Sequence, residues 1–128
     1  MTSVKAILHK EHYTTLLQSE TNKIFADEPV SIGGSNKGFS PSELLASSLA
    51  ACTAITLRMY ADRKNMQLEK VEVSVAIESL QNQTQFFRKI ELSGNLNETE
   101  KNKLLDIANR CPTHKILKSA IDIKTDLL

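Results

Sequence analysis

The chain has 128 residues and no Pro- or Gly-rich linker long enough to separate one core from another, so a single domain is expected. A core of that size buries only about two thirds of the unfolded surface, a shortfall that a partner subunit would make good. Sixteen Lys and Arg against fifteen Asp and Glu give a net charge of +1, and the basic residues are scattered, which argues against nucleic acid or an anionic membrane as the main partner.

The opening MTSVKAILHK lacks the apolar run and small-residue cleavage site of a secretory signal, so a cytoplasmic protein is expected. Apolar alternation at Val4, Ala6 and Leu8, a turn at Lys10-Glu11-His12, then residues 13–17 and 23–26, predict an antiparallel set of short strands. Residues 27–39 form a loop, because Gly33, Gly34 and Gly38 permit backbone angles that other residues avoid. Loops of that length commonly line a site or an interface.

Ser40-Pro41-Ser42-Glu43 is a helix start, with Ser40 as N-cap, Pro41 in the first turn and Glu43 closing a capping box. The helix is expected to run to about Lys64. Its uncharged stretch, residues 44–57, is shorter than the roughly 20 apolar residues that span a bilayer. Small or apolar on every side, it reads as a helix buried all round. Val71, Val73, Val75 and Ile77 then alternate with polar or small residues as a half-buried strand, and residues 86–92 return as its hairpin partner after a turn at Gln81-Asn82-Gln83. Asn97 with Glu100 opens a second helix with an apolar stripe of Leu104, Leu105, Ile107 and Ala108. Pro112 ends it near Cys111 and starts a third, short helix through Leu117. Ile121, Ile123, Thr125 and Leu127 suggest a last strand.

Two cysteines in a reducing compartment are either inert core thiols or a redox pair. Cys52 sits in mid-helix, where apolar surroundings raise a thiol pKa unless a cation or hydrogen-bond donor comes to it from elsewhere. Cys111 precedes Pro112, where the free N–H groups of the next helix can face its sulfur; that cap is either thiolate-stabilising or merely structural. Glu43 is accounted for by the capping box, which leaves room for a second role. A zinc site from Cys52, Cys111 and His114 lacks a CxxC pair and an evident fourth ligand, and His9 and His12 read as surface residues. Walker, GxSxG and Rossmann glycine patterns are missing, which removes support from nucleotide and hydrolase readings.

The run from Gly38 to Thr53, GFSPSELLASSLAACT, taken with Cys111-Pro112-Thr113-His114, resembles the signature of the OsmC/Ohr family (osmotically inducible protein C and organic hydroperoxide resistance protein). The resemblance extends to the order of elements along nearly the whole chain. It implies an α+β, OsmC-like fold, in which antiparallel sheets from both subunits surround long buried central helices of an intertwined homodimer with sites at the interface. It implies Cys52 as the thiol that attacks a peroxide, Cys111 as the resolving thiol and Glu43 as the family's acidic site residue. It further implies organic or fatty-acyl hydroperoxides as substrates, a small dithiol or lipoylated protein as reductant, and no metal or other cofactor.

One feature departs from the family: peroxidatic members use an Arg in the N-terminal strand region, and here no Arg precedes Arg58. Lys5, Lys10, Lys23 or Lys37 could supply charge but not a planar fork. The departure keeps a second reading open, a member with weak or lost peroxidase activity that binds an apolar small molecule at the dimer interface. Helix geometry also sets Glu43 ~13 Å from Cys52 along the same helix and roughly opposite it, so it is expected to serve the Cys52 of the partner subunit unless the helix kinks.

Overall fold

A computed structural model describes all 128 residues, Met1–Leu128. They form two compact units, Met1–Leu45 and Ala46–Leu128.

In the first unit, β1 (Lys5–Ile7), β2 (Thr15–Gln18) and β3 (Lys23–Ala26) make an antiparallel sheet in chain order, with Ile7 opposite Leu16 and Thr15 opposite Ala26. The glycine-bearing loop is then organised by one buried carboxylate. Asp27 accepts from the N–H groups of Tyr13, Glu28, Ser35 and Lys37 and from the Thr14 hydroxyl at 2.7–3.2 Å. Burial by itself disfavours the charge, yet the Thr14 hydroxyl and the backbone donors outweigh it and hold the carboxyl far below the usual range. Gly34 is required by the same wrapping, since a Cβ there would lie 2.0 Å from the Glu28 carbonyl oxygen.

Helix α1 (Pro41–Arg63) starts in the first unit and runs on through the second. Its capping box is present: the Ser40 N–H donates to Glu43 Oε1 at 2.9 Å and the Glu43 N–H to Ser40 Oγ at 3.2 Å. The second unit continues with β4 (Gln67–Leu80) and β5 (Gln83–Asn95), an antiparallel hairpin in which Leu80 faces Gln83, leaving a two-residue turn. The ladder is longer than the alternation at positions 71–77 suggests, because backbone pairing continues where side chains on both faces are exposed. A bulge between Leu68 and Lys70 lies opposite Gly94, whose φ of 137° and approach to Gln67 O leave no room for a side chain. Helices α2 (Glu98–Ala108) and α3 (Pro112–Lys118) follow, the first closed by the Asn97/Glu100 capping box. Leu57, Ala61, Leu68, Leu96, Leu104, Ile107 and Ala108 form the core of this unit. The class is α+β, with two antiparallel sheets and three α-helices, as the sequence suggested.

Three expectations are corrected. Helix α1 is not buried all round within the chain: Leu49, Thr53, Leu57 and Ala61, spaced by four, are buried, while Ile55 and Met59 are 58% and 65% exposed. It is long and apolar enough to cross a membrane, but its Leu57 and Ala61 are already committed to the core. Leu105 is exposed, because one residue is ~100° of helix rotation and carries it away from the stripe of Leu104, Ile107 and Ala108. Residues 120–128 form no strand; a strand needs a hydrogen-bonding edge, this chain pairs none with them, and Ile121 and Ile123 stay exposed.

Candidate functional site

Both cysteines belong to the second unit. Cys52 is half-buried on α1, beside the fully buried Thr53 and one turn after Leu49. Cys111 is fully buried and caps α3: Pro112 sets the first turn, and the His114 N–H points at the Cys111 sulfur, 3.5 Å away. That is the arrangement anticipated from a cysteine preceding a proline-started helix. Folding brings the two sulfurs together, with the Cys111 thiol donating to Cys52.

The hydrogen bonds divide the pair. For Cys52, burial is the largest influence and opposes ionisation, but four donors outweigh it: the Cys111 thiol, the Thr113 N–H, the Thr113 hydroxyl and the Thr56 hydroxyl. The Cys52 thiol is therefore held below its ordinary range. Cys111 moves the other way. Burial, the hydrogen bond it gives to Cys52 and the negative charge of that sulfur all raise it, and the His114 and Thr113 N–H groups offset this only incompletely. The arrangement thus favours ionisation of Cys52 over that of Cys111.

Beside the thiols lies a cleft of about 310 Å³. Leu49, Phe86 and Leu117 give it apolar walls, and Arg88, His114 and Lys118 line it with polar heads. Neither sulfur lines it, but Leu49 is one helical turn from Cys52, and His114 is three residues from Cys111. Arg88 ties the region together: its Nη1 donates to Thr53 Oγ1 at 3.1 Å and to Ala108 O at 3.2 Å, and its Nη2 to Asn109 Oδ1 at 2.9 Å. His114 is held below its ordinary pKa by burial first and then by the positive charges of Arg88 and Lys118.

Of the residues singled out in the sequence, Cys52 and Cys111 are brought together, while Glu43 is exposed at the start of α1 and engaged in the capping box. Lys5, Lys10, Lys23 and Lys37 are exposed residues of the first unit. Arg58 pairs with Asp62 at 3.1 Å and donates to Leu68 O. No cluster of three or more His, Cys, Asp or Glu side chains is placed to hold a metal ion. Sequence reasoning missed Thr56, Thr113 and Arg88. The threonines carry no signal by themselves, but Arg88 interrupts the apolar face of β5 made by Phe86, Ile90 and Leu92.

A family model described as OsmC-like protein matches residues 34–126, which include both cysteines and all of α1 to α3. The chain belongs to the OsmC-like family. This OsmC-like protein is 30% identical to a hydroperoxide reductase of Mycoplasma pneumoniae over 99 residues, 71% of this chain and 70% of the relative. It is similar to the crystal structure of an OsmC-like protein from Mycoplasma pneumoniae, with a TM-score of 0.78 and 25% identity over 92% of this chain and 87% of the other. It also shares its fold with an organic hydroperoxide resistance protein OsmC from Legionella pneumophila, with a TM-score of 0.66 and 22% identity over 97% and 93% of the two chains.

Proposed function

We propose that this OsmC-like protein reduces organic or fatty-acyl hydroperoxides by thiol chemistry, with Cys52 as attacking and Cys111 as resolving residue. What carries the reading is the hydrogen-bonded sulfur pair, in which the more exposed thiol is pushed toward ionisation and the buried one away from it. The Cys52 thiolate attacks the outer peroxide oxygen, the O–O bond breaks, sulfur is oxidised to a sulfenic acid, and the alkoxide leaves and takes a proton from water. Cys111 then attacks the sulfenic sulfur, its proton and the departing hydroxide form water, and an external dithiol, small or lipoyl-borne, reduces the resulting disulfide.

The coupling of the two thiols times these steps. Two of the three influences that raise Cys111, its hydrogen bond to Cys52 and the adjacent negative charge, weaken once Cys52 becomes a neutral sulfenic acid. The His114 and Thr113 N–H groups remain, so Cys111 becomes a better nucleophile when it is needed.

In this reading the working unit is a homodimer of intertwined chains in the cytoplasm. The exposed apolar residues Ile55 and Met59 on α1, and Ile121 and Ile123 beyond α3, are surface that a second copy would cover. Glu43 then serves the Cys52 of the partner subunit. The apolar walls of the cleft favour one alternative, a protein of this fold that binds an apolar small molecule with weak or lost peroxidase activity.

Mass spectrometry after one equivalent of cumene hydroperoxide separates the two readings. The expected product is a peptide pair joined through Cys52 and Cys111, and over-oxidised Cys52 in Cys111→Ser. Unchanged free thiols in the wild type would refute the peroxidase reading.

A further inference from the structure

Arg88 stands on the half-buried face of β5 between Phe86 and Ile90, where a charged side chain costs free energy unless its donors are used. They reach two helices. Nη1 donates to Thr53 Oγ1 on α1 and to Ala108 O in the last turn of α2, and Nη2 donates to Asn109 Oδ1 at the end of that helix. All three acceptors lie within three residues of a thiol. Thr53 follows Cys52, and its hydroxyl proton is directed to Leu49 O at 2.7 Å, which leaves the oxygen to accept from Arg88. Ala108 O also receives the Cys111 N–H at 3.4 Å, so one carbonyl oxygen separates the guanidinium from the Cys111 backbone. A cation is favourable at that place, because the unpaired carbonyls of a helix end carry negative charge.

In the reduced state the sulfurs are held partly by their own hydrogen bond, which weakens once Cys52 is oxidised. Closing the disulfide then needs sulfurs ~2.0 Å apart and Cβ atoms ~3.5–4.5 Å apart, a geometry that the backbone must supply. We propose that Arg88 is the positioning residue for the resolving step: its guanidinium holds the Cys111 turn against α1 so that Cys111 meets the oxidised Cys52. This rests on the reading of Cys52 as attacking and Cys111 as resolving thiol. The donors on the Cys52 sulfur are other groups, so Arg88 acts through the placement of Thr53 and the end of α2. A planar fork suits the task, since its two Nη groups span acceptors on both helices at once, which a lysine ammonium cannot do.

An equimolar dose of dipyridyl disulfide separates attack from closure in the wild type, Arg88→Met and Arg88→Lys. The Cys52 thiolate attacks one reagent sulfur and releases the first pyridinethione. Cys111 gives its proton to water, attacks the Cys52 sulfur of the mixed disulfide and releases the second. Stopped-flow absorbance follows both phases. Misplacing a reacting atom by ~1 Å costs ~10²-fold, so the second phase should fall about tenfold or more relative to the first in both variants. A general loosening of the fold would leave that ratio unmoved. An unchanged ratio in either variant would overturn the proposal, as would a wild type that releases only one pyridinethione. Thr53 keeps its bond to Leu49 O without Arg88, and Asn109 is exposed to water; should Arg88→Met nonetheless fail to fold, Arg88→Lys decides alone. The reagent has no O–O bond, so this result is independent of the peroxide chemistry, which stands or falls on disulfide formation with cumene hydroperoxide.

Discussion

Replacing Thr113 by Val removes one hydroxyl donor from the Cys52 sulfur while keeping side-chain shape and the Thr113 N–H, and the consequence differs in sign on the two sides of the thiol pKa. A hydrogen bond to a charged group is worth ~1.5–3 kcal/mol, and the lower end applies to a half-exposed sulfur. At ~1.4 kcal/mol per factor of ten, the thiolate fraction at low pH falls roughly tenfold. The remaining thiolate is also more basic, and with a Brønsted slope of about 0.4–0.5 its intrinsic nucleophilicity rises about threefold. Thr113→Val should therefore react about three- to fourfold more slowly than wild type at low pH and about threefold faster at high pH, where both are fully ionised. The assay is the initial release of pyridinethione from dipyridyl disulfide across pH. The two profiles must cross. A variant slower, or faster, at every pH would show that the hydroxyl acts on packing or access instead of on the charge of the sulfur.

The core and the electrostatics supply further tests. Leu57 is fully buried, so Leu57→Ala should cost ~2–5 kcal/mol in urea denaturation of the reduced protein; a loss under ~1 kcal/mol would contradict its place in the core. His114 is depressed below 6.5, so the unfolded chain takes up a proton there first: its effect on stability is absent above that pH and grows unfavourable as pH falls from 6.5 through the folded value. The urea midpoint of His114→Gln should fall less steeply than that of wild type over that window, and equal slopes would reject the assignment. Because hydrogen-bond donors rather than cations lower the Cys52 thiol, raising salt from ~0.01 to ~1 M, which shortens the screening length from about 30 to 3 Å, should change its rate with the neutral disulfide less than about twofold. A larger drop would reveal a cation at the sulfur.

The elements were legible where one local rule fixes them. The Ser40/Glu43 and Asn97/Glu100 boxes mark helix starts because cap and helix N–H groups are satisfied within four residues, and both are present. Val71, Val73, Val75 and Ile77 mark a strand because one face is half-buried. Residues 121–127 alternate as clearly but stay unpaired, since alternation describes a face and says nothing of the edge that must hydrogen-bond to it. Likewise the composition of α1 records every surface the helix can cover, whereas the single chain covers only the stripe through Leu49, Thr53, Leu57 and Ala61.

The site divides along the same line. The sulfur of Cys111 was legible as a cap, because Pro112 and the N–H of His114 are its immediate neighbours in sequence. The state of Cys52 was not, because two of its partners, Cys111 and Thr113, come from the far end of the chain. The missing N-terminal Arg pointed to a sulfur without its activating charge, but a thiolate requires only that its stabilising interactions exceed the cost of burial. Two threonine hydroxyls, one backbone N–H and a neighbouring thiol meet that condition, each from a residue type too common to stand out. They also leave the nearby guanidinium of Arg88 uncommitted to the sulfur.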